Sequence, residues 1–245
     1  MPGRIDQLAD PKVARQLLLE RRGQAYFSRK LNELRDDEFE VPSLLPGWSR
    51  ADVVAHVGYN ARAVARLVDW AETGIETPMY ASTAQRAEEI ELGATLPVEA
   101  LRNLSAHAAV HLDVSWRDLP VDAWSHEVRT AQGRLVPVSE TVWMRLREVW
   151  LHAVDLDNGG LVSDFPDEVL DLLLDDLGRV WQRKGASNVV LEVTDRSPAY
   201  RVREGPADLT VRGTAADIVA WGTGRARGGV RTLAGEPAPA APAWL

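Results

Sequence analysis

The chain has 245 residues, with 28 Lys and Arg against 36 Asp and Glu, for a formal net charge of -8. It lacks the basic stripe that a phosphate backbone requires, so nucleic acid is not an expected partner. Hydrophobic residues at 45% and charged residues at 26% are ordinary for a globular protein, and there is no cysteine, which excludes disulfides, thiolate metal ligands and a protein thiol nucleophile.

The stretch from about 10 to 35, "DPKVARQLLLERRGQAYFSRKLNEL", reads as an amphipathic helix with Pro11 near its first turn. No apolar run is long enough to span a bilayer. The opening "MPGRIDQLADPKVARQLLLERRG" also has no apolar signal-peptide core, so no membrane partner and a cytoplasmic location are expected. In "VPSLLPGWSR", Pro42, Pro46 and Gly47 break the pattern and Ser49 is placed to cap the next helix. That second helix is "RADVVAHVGYNARAVARLVDWAETG", ending at Gly74, with Val53, Val57, Val64, Leu67 and Ala71 on one stripe.

After "IETPMYAST", the segment "AQRAEEIELG" predicts a short helix and "LPVEALRNLSAHAAVHLDVSWRDL" a third long one, opened by Pro97. "PVDAWSHEVRTAQGRLVPVS" reads as a strand pair or loop closed at Gln132-Gly133. Ser139, with half a capping box, opens a fourth long helix over 140 to 157. Four long helices with moderate connections imply a bundle. Beyond "DNGGLVSDFP" the composition shifts. The helix "DEVLDLLLDDLGRVWQRKG" leads into the β-like runs "NVVLEVTD", "AYRVREG" and "ADLTVRG", a capped helix "TAADIVAWGTG" and a last run "GGVRTLAG". The order is α+β and too small for a doubly wound sheet. The Pro/Ala tail "EPAPAAPAWL" is expected to be extended and packed by Trp244 and Leu245, or frayed.

Three sets of histidines bear on chemistry. His107 and His111 are four apart on the third long helix, but no acid of the HExxH type lies between them, which favours an ordinary helix face. His56 sits at the rim of the second helix's apolar stripe with Asn60 one turn on, a position that suits a satisfied core residue or a ligand. Glu148 and His152 are stacked neighbours on the fourth helix and can reach one ion. Thr141, Arg145 and Asp155 share their face while Leu146, Trp150 and Ala153 point away, so that face also fits a wet surface. Two nitrogens and a carboxylate would suit zinc with one position left open. Spacing leaves both readings standing.

A resemblance tips the balance. "LLPGWSRADVVAHVGYNA" resembles the metal-binding helix start of the DinB-like superfamily. Together with "TGIETPMY", "DVSWRD", "DAWSHEVRTAQGRLVPVSETVWMRLREVWLHAVDL" and the ending "WL", the chain is similar nearly end to end to the mycothiol-dependent maleylpyruvate isomerase family. The resemblance implies a DinB-like four-helix metal-binding bundle over 1–160 and a small α/β C-terminal domain over 161–245 that closes the active site. It implies a divalent ion, usually zinc, held by His56, Glu148 and His152. It also implies a catalytic arginine in a Gly-Arg turn, matched by Arg225 in "WGTGRARGG", with Arg227 close by.

What the family does is the cis-trans isomerisation of maleylpyruvate to fumarylpyruvate in the gentisate pathway, by reversible thiolate addition with mycothiol as cofactor. Sulfur brought in by a cofactor agrees with a chain that has no cysteine. A diacid substrate calls for arginine, the side chain suited to bidentate carboxylate binding. Arg225 is assigned a carboxylate or the developing enolate, Arg86 the other carboxylate, and Tyr80 and Asn60 the pocket lining. The same ligands would serve a zinc-dependent mycothiol S-transferase acting on small electrophiles, and a bundle of this kind can also bind ligands without turnover. Nothing in the sequence demands a dimer, and a monomer is expected.

Overall fold

The computed structural model describes residues 6–186, 188–196, 200–201, 206–225 and 228–244. They form two compact units, 1–159 and 160–245. The first is helical. Helix α1 (Pro11–Glu33) is capped by the Asp10 side chain, which accepts from Lys12 N at 2.8 Å, and has Pro11 in its first turn. Helix α2 (Arg50–Thr73) opens with a reciprocal box: Ser49 Oγ accepts from Asp52 N at 3.2 Å, and Asp52 accepts from Ser49 N at 2.9 Å. It ends at Gly74, whose φ of 73° is the left-handed turn that glycine supplies without steric cost. Helices α3 (Thr83–Ala94), α4 (Val98–Asp118) and α5 (Glu140–Asp155) come next along the chain. A short antiparallel pair, β1 (Glu127–Arg129) with β2 (Leu135–Pro137), precedes α5 and turns at Gly133.

Helix α2 is the axis of this unit. It packs on α4, α3 and α5, while α1 packs on α5. Small residues make that possible: Ala55, Ala61, Ala63 and Ala65 are all buried, and Gly58 lies so near α4 that a Cβ there would stand 2.8 Å from Leu104. A helix hemmed in on several sides buries its polar residues too, which is why His56 and Asn60 are 5% and 7% exposed.

Two sequence expectations need correcting here. Ser139 does not cap α5: its backbone is already helical at φ -56° and its side chain makes no capping bond. The helix also stops at Asp155, not 157, because Asp157 adopts a φ of 50° that ends the helical path.

In the second unit, α6 (Asp167–Arg183) packs against α7 (Ala215–Gly222). Beside them is a four-stranded sheet of β3 (Val189–Val193), β4 (Tyr200–Arg201), β5 (Leu209–Gly213) and β6 (Arg231–Thr232), in the order β4-β3-β5-β6. Strands β3 and β5 run parallel and the outer two antiparallel. The α+β class read from the sequence is therefore the observed one. The Pro/Ala tail has no regular secondary structure and is pinned by three indoles. Trp221 Nε1 donates to Pro239 O, Trp181 Nε1 to Pro242 O, and the tail's own Trp244 Nε1 to Asp176 Oδ2 at 3.0 Å. Leu245, the other expected anchor, lies outside the described residues. No described helix is long and apolar enough to cross a membrane.

Candidate metal centre

Helix α2 carries His56 into the core and α5 brings Glu148 and His152 to meet it. His56 Nε2 is 2.9 Å from Glu148 Oε2 and 3.1 Å from His152 Nε2, and His152 Nε2 is 3.1 Å from the same Glu148 oxygen. Among the described residues this is the one set of three metal-capable side chains whose donor atoms converge. Four ligands arranged tetrahedrally about zinc at about 2.0–2.1 Å stand about 3.3 Å from one another. The observed triangle lies within a few tenths of an ångström of that. Two imidazole nitrogens and one carboxylate oxygen are also a donor set that zinc accepts, although nitrogen and oxygen ligands do not single zinc out from other divalent ions. The residues present fit the group.

The second helix and the fourth long one are tied at this height. Leu44 N, in the loop before α2, donates to Asp155 O at 3.0 Å, and Arg50 Nη2 donates to Asp157 O at 2.6 Å. Trp48 packs edge-on to His56 with ring centroids 5.4 Å apart. The Glu148 and His152 side chains keep 16% and 12% of their surface exposed.

Burial pushes the His56 imidazole down to about 4, against the pull of Glu148, so it is neutral at neutral pH. Burial alone would raise Glu148, but hydrogen bonds with His152 and His56 outweigh it and hold the carboxyl well below its ordinary value. His152 is the reverse of His56: burial lowers it, and the carboxylates of Asp155 and Glu148 more than compensate. The charge that stays on Glu148 is what a cation would meet.

The face of α5 that carries Glu148 and His152 is not wet. Thr141, Arg145 and Asp155 are all 0% exposed, which overturns the surface reading of that face. Arg145 Nη1 donates to Val57 O at 2.8 Å and to Asn60 Oδ1 at 2.9 Å, and Nη2 donates to Gln24 Oε1 at 2.9 Å. Asn60 is thus bound to the core on its oxygen side. Arg86, at the start of α3, places Nη2 3.3 Å from His56 Nδ1 and its guanidinium 5.9 Å from the Tyr80 ring. His56, Asn60, Tyr80, Arg86, Glu148 and His152 all belong to the first unit.

Arg225 belongs to the second unit, just past α7, where its backbone N donates to Ala220 O and its Nη1 to Thr223 O at 2.7 Å. Arg227 lies outside the described residues. His107 and His111 are exposed on α4, and His126 Nδ1 donates to Ala71 O at 2.7 Å. None of those three joins the centre. Sequence reasoning missed Trp48 as a neighbour of His56 and Asp155 as the partner of His152, whose Nδ1 it meets at 2.8 Å. The second could have been read from the His-x-x-Asp spacing, which stacks the pair on one helix face.

Fold and donor set together define a helical-bundle protein with a buried His-Glu-His centre and an appended α/β unit. A profile described as the mycothiol maleylpyruvate isomerase N-terminal domain matches residues 21–157. Two solved structures, of mycothiol-dependent maleylpyruvate isomerase and of a histidine-to-alanine mutant of it, each align at a TM-score of 0.90. Each is 45% identical to this chain, covering 95% of it and 97% of its own length. No protein in a search of curated sequences matches. The chain belongs to the mycothiol maleylpyruvate isomerase family and is an isomerase.

Proposed function

We propose that this protein converts maleylpyruvate to fumarylpyruvate in the gentisate pathway, with mycothiol as a recycled thiol and zinc held by His56, Glu148 and His152. The observation that carries the reading is the donor triangle of 2.9, 3.1 and 3.1 Å. It sits in a chain 45% identical, over 95% of its length, to an enzyme described as a mycothiol-dependent maleylpyruvate isomerase. When bound, the ion and mycothiol would supply a thiolate whose reversible addition lets the double bond rotate as a single bond and re-form, with no net oxidation.

The chain's own residues do the rest. Glu148 stays ionised and His56 neutral, so both are in the protonation state that binding a cation requires. Two neutral imidazoles and one carboxylate leave a dication with a net charge of about +1, which one thiolate neutralises. Arg86, beside His56, is assigned one substrate carboxylate, and Arg225 the other carboxylate or the enolate charge that develops during addition. Tyr80 and Asn60 line the pocket. Burial raises the Tyr80 phenol, against the pull of Arg86, so it remains a hydrogen-bond donor.

The test is turnover of maleylpyruvate by the zinc-loaded protein with and without mycothiol. Expected are formation of fumarylpyruvate, a requirement for the thiol and full recovery of that thiol. A thioether that accumulates would assign the protein instead to S-transfer onto small electrophiles. Equal rates without thiol would overturn the reading.

A further inference from the structure

We infer that the Tyr80 hydroxyl donates to the substrate's ketone oxygen as it becomes an enolate, and that Arg66 is the residue that holds Tyr80 in place to do so. The inference deepens the isomerase reading above and rests on it.

Tyr80 lies between α2 and α3, in a stretch without regular secondary structure. A loop tyrosine would ordinarily be free to move, but both of its neighbours are tied down. Met79 is 4% exposed and sits in the hydrophobic cluster with Val64 and Val68, and Tyr80 packs against that cluster. The Met79 carbonyl accepts from Arg66 of α2 twice, from Nε at 3.0 Å and from Nη2. On the other side, Ala81 N donates to Gln85 Oε1 at 2.6 Å, and Gln85 N donates to Ser82 Oγ at 3.0 Å, which caps α3. Side chains from the helices before and after the loop thus bind the backbone on either side of one tyrosine.

What is held there bears on the centre. The guanidinium groups of Arg66 and Arg86 each stand 5.9 Å from the Tyr80 ring, and Arg86 also reaches within 3.3 Å of His56. The ring is therefore one side chain away from the donor triangle. A guanidinium only donates, so a contact with either arginine uses the lone pairs of the hydroxyl and leaves its proton for another acceptor. Burial raises the phenol against the pull of Arg86, with the charge of Glu148 adding to the rise, which keeps that proton in place.

The substrate's oxygens differ in when they are charged. Its carboxylates carry charge throughout, and arginine suits them. Its ketone oxygen is neutral until sulfur bonds to the alkene, when the π pair moves onto that oxygen as an enolate. After rotation the pair returns and the carbon–sulfur bond breaks, so no proton or electron is gained or lost. A neutral, fixed donor binds this oxygen more tightly once it is charged, which lowers the barrier without tightening the ground state. Tyr80 is such a donor, and Arg66 is its positioning residue.

The experiment measures maleylpyruvate turnover by the zinc-loaded full chain with mycothiol. Tyr80→Phe should lower kcat by about a hundredfold, with KM changed by less than about threefold and zinc content equal to the parent. Arg66→Met should lower kcat by a smaller factor, and Arg66→Lys, which can still donate to the Met79 carbonyl, should recover part of the loss. Adding Arg66→Met to Tyr80→Phe should cost no further kcat, because Arg66 acts through the hydroxyl already removed. An unchanged kcat in Tyr80→Phe, a loss confined to KM, or losses that multiply in the double variant would each overturn the inference. Tyr80→Phe keeps the ring and its packing, so it decides even where Arg66→Met does not fold. Absence of turnover by the unmodified chain overturns the isomerase reading and the inference with it.

Discussion

Arg145 is a charged side chain with 0% exposure, and its neighbour Glu20 is 4% exposed with a carboxylate oxygen 4.0 Å from Arg145 Nε. Burial pushes the Glu20 carboxyl up to about 7, with Asp113 adding to the rise and Arg145 opposing it. The folded chain therefore keeps a proton that the unfolded chain loses above the ordinary value of 4.5. Stability from this group is complete below that value and declines as pH rises through about 7. Glu20→Gln, which mimics the protonated form, should flatten the urea-unfolding profile between pH 5 and 8. It should gain on the order of 3 kcal/mol over the parent at the alkaline end. Arg225→Ala should lower kcat by about a hundredfold or more with zinc content unchanged, as expected for a group acting on developing charge. Zinc lost from that variant would give the residue a structural role instead. At this scale the sequence was half legible. The Glu148–His152 spacing marked a pair that can share an ion, but a row of Thr141, Arg145 and Asp155 reads as solvent-facing because charged residues usually are. The hydrogen bonds that let Arg145 be buried reach partners 85 to 121 positions away, Asn60, Val57 and Gln24, which no local pattern contains.

Among the elements, the contact of α1 with α5 is close enough to fix where Glu148 stands. A Cβ at Gly23 would stand 2.6 Å from Trp150 Nε1 and 2.7 Å from Val149 Cγ2, and Trp150 Nε1 also donates to Leu19 O. Gly23→Ala should push α5 away next to Glu148. The expected result is a loss of about 1–3 kcal/mol in chemical unfolding, with weaker zinc binding measured by chelator competition. The helices themselves were readable because their apolar spacing and their breakers agree. Pro11, Ser49 and Gly74 each occupy the terminus they mark. Ser139 failed as a cap because the chain enters α5 from β2 already in helical geometry, which leaves its hydroxyl no orphan donor in range. The outer strands β4 and β6 fall within the runs "AYRVREG" and "GGVRTLAG" that read as β-like, and only the structure shows that they pair antiparallel with β3 and β5.

For the molecule as a whole, the centre joins residues 92 and 96 positions apart, a separation spanning most of the first unit. An ion that binds the folded chain and not the unfolded one adds its binding energy to folding. At a free concentration a hundredfold above Kd the gain is about 2.7 kcal/mol. Thermal melts should therefore shift upward with added zinc and back with a chelator, and His152→Ala should abolish the shift. An unmoved melting temperature would mean that no ion is held by the native state. For a cell, one consequence reaches past catalysis. Starved of the ion, it would hold copies that are both idle and more often open to quality-control proteases. Nutrient supply would then govern how many copies persist as well as how fast each one works.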